Sequence, residues 1–132
     1  MDLTIDTSAI MAVVLNEASK PELVRMTRGR ELASAPSLPW EVGNALSALL
    51  RRGSVDETQA RRALASFRRI PLRLMDVSVE DALAMAAERR IYAYDAYVLV
   101  CARQYRTPLL SLDQRQIETA REIGIEVLEV ES

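Results

Sequence analysis

Asp6, Glu41, Asp95 and Asp113 are carboxylates set against apolar sequence, and their surroundings make them candidates for chemistry. Asp6 closes the run Leu3-Thr4-Ile5, and Asp113 closes Pro108-Leu109-Leu110-Ser111-Leu112. Glu41 opens the helix-like run that continues through Val42 to Leu46, while Asp95 is the only charge between Ala93 and Ala102. An ionised carboxylate in apolar surroundings is costly unless it is paired, hydrogen-bonded or bound to a metal. The partner expected here is a cation that the sequence does not itself supply. The chain has no histidine and one cysteine, which excludes Ser-His-Asp and Cys-His nucleophile systems and His-ligated zinc. Clustered carboxylates without histidine suit a hard cation, Mg²⁺ or Mn²⁺. Such an ion can take a phosphodiester oxygen and activate water, so metal-assisted phosphodiester hydrolysis is the reaction class implied.

Each acid also has a plainer reading. Asp6 and Asp113 fit the N-cap position of a following helix, and Glu41 fits a first-turn partner of the helix dipole. Asp95 resists such a reading, because an unpaired buried acid is rare. Asp76 reads as a turn residue, and Glu80, Asp81, Glu88, Glu118 and Glu122 as solvated helix faces. Cys101, in the most apolar stretch, reads as a reduced core thiol. Trp40 reads as helix-packing core in preference to a base-stacking platform.

The elements that must position these residues alternate along the chain. Strands are expected near 2–5, 31–34, 71–75, 109–112 and 125–130, with helix-period segments between them, which predicts an α/β three-layer sandwich around a mostly parallel sheet of about five strands. Thr7 to Leu15 is the first helix; Pro21 opens a second that Gly29 ends. Pro39 lies in the first turn of a third, with apolar positions Leu38, Val42, Ala45, Leu46 and Leu49. Ser54-Val55-Asp56-Glu57 reads as a capping box for a fourth helix running to Arg69, and Ser78 opens a fifth. The sixth carries Asp95, and the seventh follows Asp113 and ends at Gly124. In such a sheet ligands bind beyond the carboxyl ends of the strands, where both Asp6 and Asp113 fall. Glu41 shares a helical face with Asn44, Ala45 and Ala48, and Asp95 one with Val98, Leu99 and Ala102.

At 132 residues with net charge −2, the chain reads as one domain, 1–132, of ordinary globular composition. It lacks the basic and long apolar regions of a signal peptide and any apolar run long enough for a membrane span, so a cytoplasmic location is expected. Sixteen of the seventeen basic residues are Arg; Arg51, Arg52, Arg61, Arg62, Arg68, Arg69 and Arg73 face only Asp56 and Glu57 within their segment. This is a local basic surface suited to phosphate, and the acid-rich stretch from Asp113 onward implies that substrate approaches from the other side.

The order Asp6-Thr7-Ser8, Trp40-Glu41-Val42-Gly43-Asn44, Tyr94-Asp95-Ala96-Tyr97 and Ser111-Leu112-Asp113 resembles the PIN-domain ribonucleases, in particular the VapC toxins of toxin–antitoxin pairs, over the whole chain. By that resemblance Asp6, Glu41, Asp95 and Asp113 match the acidic metal-binding quartet. Thr7 and Ser111 match hydroxyl residues supporting the first and fourth acids, and Asn44 a polar residue one turn after the Glu. Gln114 and Gln116 stand where some relatives carry a further acid, and Tyr92 where some cap the sixth helix with Ser or Thr. The resemblance implies a Mg²⁺- or Mn²⁺-dependent endoribonuclease with no other cofactor, often a homodimer, acting on RNA and silenced by a cognate antitoxin protein. A phosphatase of the haloacid dehalogenase type would need Asp-x-Asp where this chain has Asp6-Thr7-Ser8. A receiver-type module would need a lysine late in the chain, whereas Lys20 is the only one. The remaining alternative is a PIN-fold binding or regulatory module, such as a DNA-binding complex partner, without catalysis.

Overall fold

A computed structural model describes residues 1–131. The order of elements is β1 (Leu3–Ile5), α1 (Thr7–Val14), α2 (Lys20–Thr27), β2 (Leu32–Ser34), α3 (Leu38–Arg51), α4 (Glu57–Arg68), β3 (Leu72–Leu74), α5 (Val79–Arg89), α6 (Ala93–Gln104), β4 (Leu109–Leu110) and α7 (Gln114–Glu122). The strands form one parallel sheet in the order β3-β2-β1-β4. A chain that lays β2 and β3 on one side of β1 and then returns to place β4 on the other leaves a crevice beyond the carboxyl ends of β1 and β4.

Alternation along the strands separates two apolar layers. Leu3, Ile5 and Leu110 pack with Ile10, Leu23, Leu38, Val42, Leu46 and Phe67 from α1 to α4. Leu109 faces the other way, into Ala82, Met85, Val98, Leu99 and Ala120 from α5 to α7. That is the expected three-layer α/β sandwich. Thr4, buried between Leu3 and Ile5, turns toward α6, where its hydroxyl meets the Thr107 hydroxyl at 2.7 Å and Cys101 Sγ at 3.7 Å. Burial pushes the Cys101 thiol up, in keeping with an inert core group.

Local details differ from the sequence reading in two places. The segment 125–130 touches the sheet only through a parallel bridge between Leu109 and Val127, with Leu109 N donating to Glu126 O and Leu128 N to Leu109 O. β4 is two residues long, so there is little ladder for a fifth strand to extend. The fourth helix is capped by Asp56, not Ser54: Gln59 N donates to Asp56 Oδ1 at 2.7 Å and Asp56 N to Gln59 Oε1 at 2.8 Å, a capping box shifted by two residues. A carboxylate accepts more strongly than a hydroxyl, and Gln59 can return the bond where Glu57 would serve Ser54. Ser78 caps α5 as expected. No helix among the described residues is long and apolar enough to cross a membrane.

Candidate functional site

Asp6 follows β1 directly, and its side chain caps α1. Asp6 Oδ1 accepts from Ala9 N at 3.1 Å and from Ser8 Oγ at 2.6 Å, while Oδ2 accepts from Ser111 Oγ. Only 5% of Asp6 is exposed, so the carboxylate sits in the crevice between β1 and β4 with every near donor a hydroxyl or an amide. Desolvation raises its pKa and the charge of Asp113 adds to the rise, against the opposing hydrogen bonds of Ser111, Ser8 and Ala9.

Glu41 lies in the first turn of α3 and is held from both sides. Thr7 Oγ1 donates to Oε1 at 3.1 Å and Ser37 Oγ to Oε2 at 2.7 Å. Ser37 occupies the cap position of α3 but makes no side-chain cap bond, because its hydroxyl is spent on the acid one turn later. Burial raises the Glu41 pKa, and Asp95 and Asp6 push it further up. Asp95, in the first turn of α6, is half-buried, and its carboxylate accepts no hydrogen bond among the described residues. Its backbone carbonyl accepts from Gln116 Nε2 at 3.1 Å, which ties α6 to α7. Desolvation and the charge of Asp113 raise its pKa, with Arg115 acting the other way. Asp113 caps α7, accepting from Arg115 N and Gln116 N at 3.0 and 3.4 Å.

The fold therefore brings the predicted acids within electrostatic reach of one another: the charge of Asp113 bears on Asp6 and on Asp95, and the charges of Asp95 and Asp6 bear on Glu41. None of them takes part in an ion pair among the described residues. The N-cap reading of Asp6 and Asp113 is also correct, since one oxygen of each serves the helix and leaves the rest of the carboxylate to the crevice. Among the described residues no three acids are gathered as tightly as a chelated ion would require. The donor set is all hard oxygen of one sign, which fits a divalent cation of the Mg²⁺ class.

The supporting residues are distributed differently from the resemblance. Thr7 holds Glu41, not Asp6. Ser111 holds Asp6 and accepts from Asp113 N at 3.0 Å, so it links the first and fourth acids. Asn44 is exposed and lines a hollow with Thr7, Trp40, Glu41 and Tyr94. Ser8 and Ser37 were missed: Ser8 also accepts from Leu112 N at 2.9 Å, stitching α1 to the end of β4. Ser37 could have been found as a hydroxyl four residues before an acid. Trp40 corrects the core reading outright, being 75% exposed. Leu38 and Val42 are buried on one stripe of α3, and a residue midway between them must face away from it.

The arginine-rich segment lies at the other end of the helices. Arg62 and Arg69 line a groove of about 760 Å³ with Val14, Leu15 and Leu49, at the C-terminal ends of α1 and α3, whose N-terminal ends carry Thr7 and Glu41. The arginines beside the acids are Arg90 and Arg115, which share a hollow of about 360 Å³ with Asp95 and Asp113. Substrate approach from the Arg51–Arg73 side is therefore not what the acid crevice favours.

The raised acids predict a pH effect on stability without added metal. Their contribution to stability is fully present below the ordinary carboxylate values of 3.8 and 4.5 and is lost as pH rises through their raised values. Metal-free protein should therefore lose stability as pH rises from those ordinary values toward neutrality, and Asp6→Asn should flatten that slope while leaving the fold as stable or more so at neutral pH. Denaturant unfolding in EDTA across that range checks this; equal slopes for parent and variant would show that Asp6 carries no such cost.

The sequence pattern of the PIN domain family matches residues 3–122. Ribonuclease VapC3 of Pyrobaculum aerophilum is 28% identical over 123 residues, covering 89% of this chain and 94% of that protein. The crystal structure of Mycobacterium tuberculosis VapC20, a sarcin-ricin loop cleaving toxin, superposes with a TM-score of 0.69 at 17% identity, covering 97% of this chain and 99% of the other. A toxin–antitoxin complex from Klebsiella pneumoniae contains a chain that superposes with a TM-score of 0.60 at 12% identity, covering 88% and 90% respectively. At these identities the two structures testify to fold.

Proposed function

Since this chain belongs to the PIN domain family, we propose that it is a metal-dependent endoribonuclease, the toxin of a toxin–antitoxin pair, built as one PIN-like domain over 1–132. The observation that carries this reading is the cluster of acids about the crevice beyond β1 and β4, which make no ion pair among the described residues. Likeness to a VapC ribonuclease supports it. Asp6, Glu41, Asp95 and Asp113 would hold Mg²⁺ or Mn²⁺. When bound, such an ion supplies positive charge for phosphoryl oxygens and acidifies water.

The chain's own residues fix the aim of the acids. Asp6 is pinned by Ser8, Ala9 and Ser111, and Glu41 by Thr7 and Ser37. Asp95 is positioned through its backbone by Gln116, a residue that stands where some relatives carry another acid. With no histidine in the chain, no imidazole can act as general base. The carboxylates gather cation charge at the crevice, and the hydroxyls around Asp6 and Glu41 keep their oxygens oriented at no cost of rearrangement during reaction.

An antitoxin is the proposed protein partner, in keeping with the toxin–antitoxin neighbour, with the apolar and Arg-bearing helix surfaces around residues 38–69 as its seat. A homodimer and a cytoplasmic setting belong to the same reading. The direct test is cleavage of RNA by purified protein with and without Mg²⁺. Asp76, two residues beyond the end of the edge strand β3, serves as a control: it is exposed, and its backbone carbonyl accepts from Tyr105 Oη at 2.6 Å. Asp76→Asn should leave cleavage within about twofold of the parent, since surface changes away from such features are nearly neutral. Loss comparable to that of Asp95→Asn would mean the site is elsewhere.

A further inference from the structure

The aromatic residues of this chain are in an unexpected place. It has one Trp, four Tyr and one Phe, and three of these, Trp40, Tyr92 and Tyr94, are exposed by 75%, 82% and 53%. All three stand beside the acids. Trp40 and Tyr94 line a hollow of about 370 Å³ together with Glu41, Asn44 and Thr7. Tyr92 lines the hollow of about 360 Å³ that holds Asp95, Asp113, Arg90 and Arg115. Both volumes fall within the range of about 300–1,000 Å³ typical of small-ligand sites.

We propose that these hollows are two nucleobase-stacking subsites, Trp40 with Tyr94 on one bank of the crevice and Tyr92 with Arg90 and Arg115 on the other. They take the unpaired nucleotides that flank the phosphate at the acids. The assignment rests on the nuclease reading above and deepens it by naming residues that select the substrate.

Several independent features fit this occupant. Every base has a π-face, so aromatic platforms accept unpaired nucleic acid with little regard to sequence. A base inside a duplex presents only its edge, so platforms of this kind discriminate against paired RNA. The Tyr94 ring is backed by Tyr97 in an edge-on contact, centroids 6.0 Å apart, which fixes one platform in advance. Arg90 and Arg115 take part in no ion pair among the described residues. They are the free cations in a crevice otherwise negative, as a phosphate flanking the cleaved one would need. Arg90 also closes α5 in the left-handed conformation, φ 56°, which glycine would adopt at less cost. This backbone cost is borne by an arginine whose side chain lines the crevice with Asp95 and Asp113.

Trp40 is the only tryptophan, so its emission reports on one subsite alone. The probes are hexauridylate, hexaadenylate and a 12-base-pair RNA duplex, added to Asp95→Asn protein in Mg²⁺ so that RNA persists. Hexamers should quench the emission and the duplex should not. Trp40→Ala and Tyr92→Ala should each weaken hexamer binding about tenfold, with Trp40→Phe retaining most of it. Arg90→Gly should weaken hexamer binding while raising the melting temperature, a loss that misfolding cannot explain. In otherwise unaltered protein, Trp40→Ala should lower kcat/KM on unpaired RNA, and Trp40→Phe should restore it.

Cleavage of hexamers by the parent, with emission unmoved and both alanine variants binding normally, would overturn the subsites and leave the nuclease standing. Quenching by hexamers that the parent does not cleave would support the subsites and remove the nuclease reading. A shift of emission on concentrating the protein without RNA would mark the aromatic banks as a contact between copies and overturn the proposal.

Discussion

Chelation of divalent cations is expected to abolish RNA cleavage by this protein, and Mg²⁺ or Mn²⁺ to restore it. The reason is the donor inventory at the crevice. Asp6, Glu41, Asp95 and Asp113 provide negative oxygen, Ser8, Ser37, Thr7 and Ser111 orient it, and no histidine exists to generate a nucleophile at neutral pH. Carboxylates that already repel one another cannot attract a phosphodiester, and Arg90 and Arg115 carry charge but cannot acidify a water, so without a metal ion the crevice has no means of generating the nucleophile. The measurement is cleavage of a radiolabelled RNA by protein dialysed against EDTA, then titrated with each metal. Turnover that survives thorough chelation would end the mechanism.

The second large effect is on growth. Expression of the parent alone in a bacterial host should arrest growth, and co-expression with the product of an adjacent small gene should relieve the arrest. Asp95→Asn should be harmless, with cleavage reduced at least about a hundredfold, the scale set by removing one electrostatic stabiliser of a transition state. Asp6→Asn should behave likewise. Asp95→Asn should still bind the partner, because the groove between the C-terminal ends of α1 and α3 and the face of α4 lies at the opposite end of α1 and α3 from Thr7 and Glu41. Growth arrest by Asp95→Asn equal to that of the parent would separate toxicity from catalysis and favour a PIN-fold binding module.

Asp6 and Asp95 were legible before any coordinates because each is a charge in an apolar run, and desolvation cost makes such a charge conspicuous. Asp113 and Glu41 were legible through their places at a strand end and a helix start. The alternation of elements was legible too, since strand and helix periods differ and Pro, Gly and Ser mark most boundaries. The segment 125–130 misled because its apolar alternation is a strand's, whereas pairing needs a partner long enough to pair with, and β4 ends after Leu110.

Which residue types could do chemistry, and on what kind of element each sits, can be read along the chain, because composition and periodicity are local properties. Who holds whom is a property of the folded arrangement. Thr7 supports Glu41 across 34 residues and Ser111 supports Asp6 across 105; the first pairing depends on β2 lying beside β1, the second on β4 returning to its other side. The exposure of Trp40 and its meeting with Tyr94 over one hollow were settled the same way. A side chain's partners follow from which elements the sheet order brings side by side, and no local pattern encodes that order.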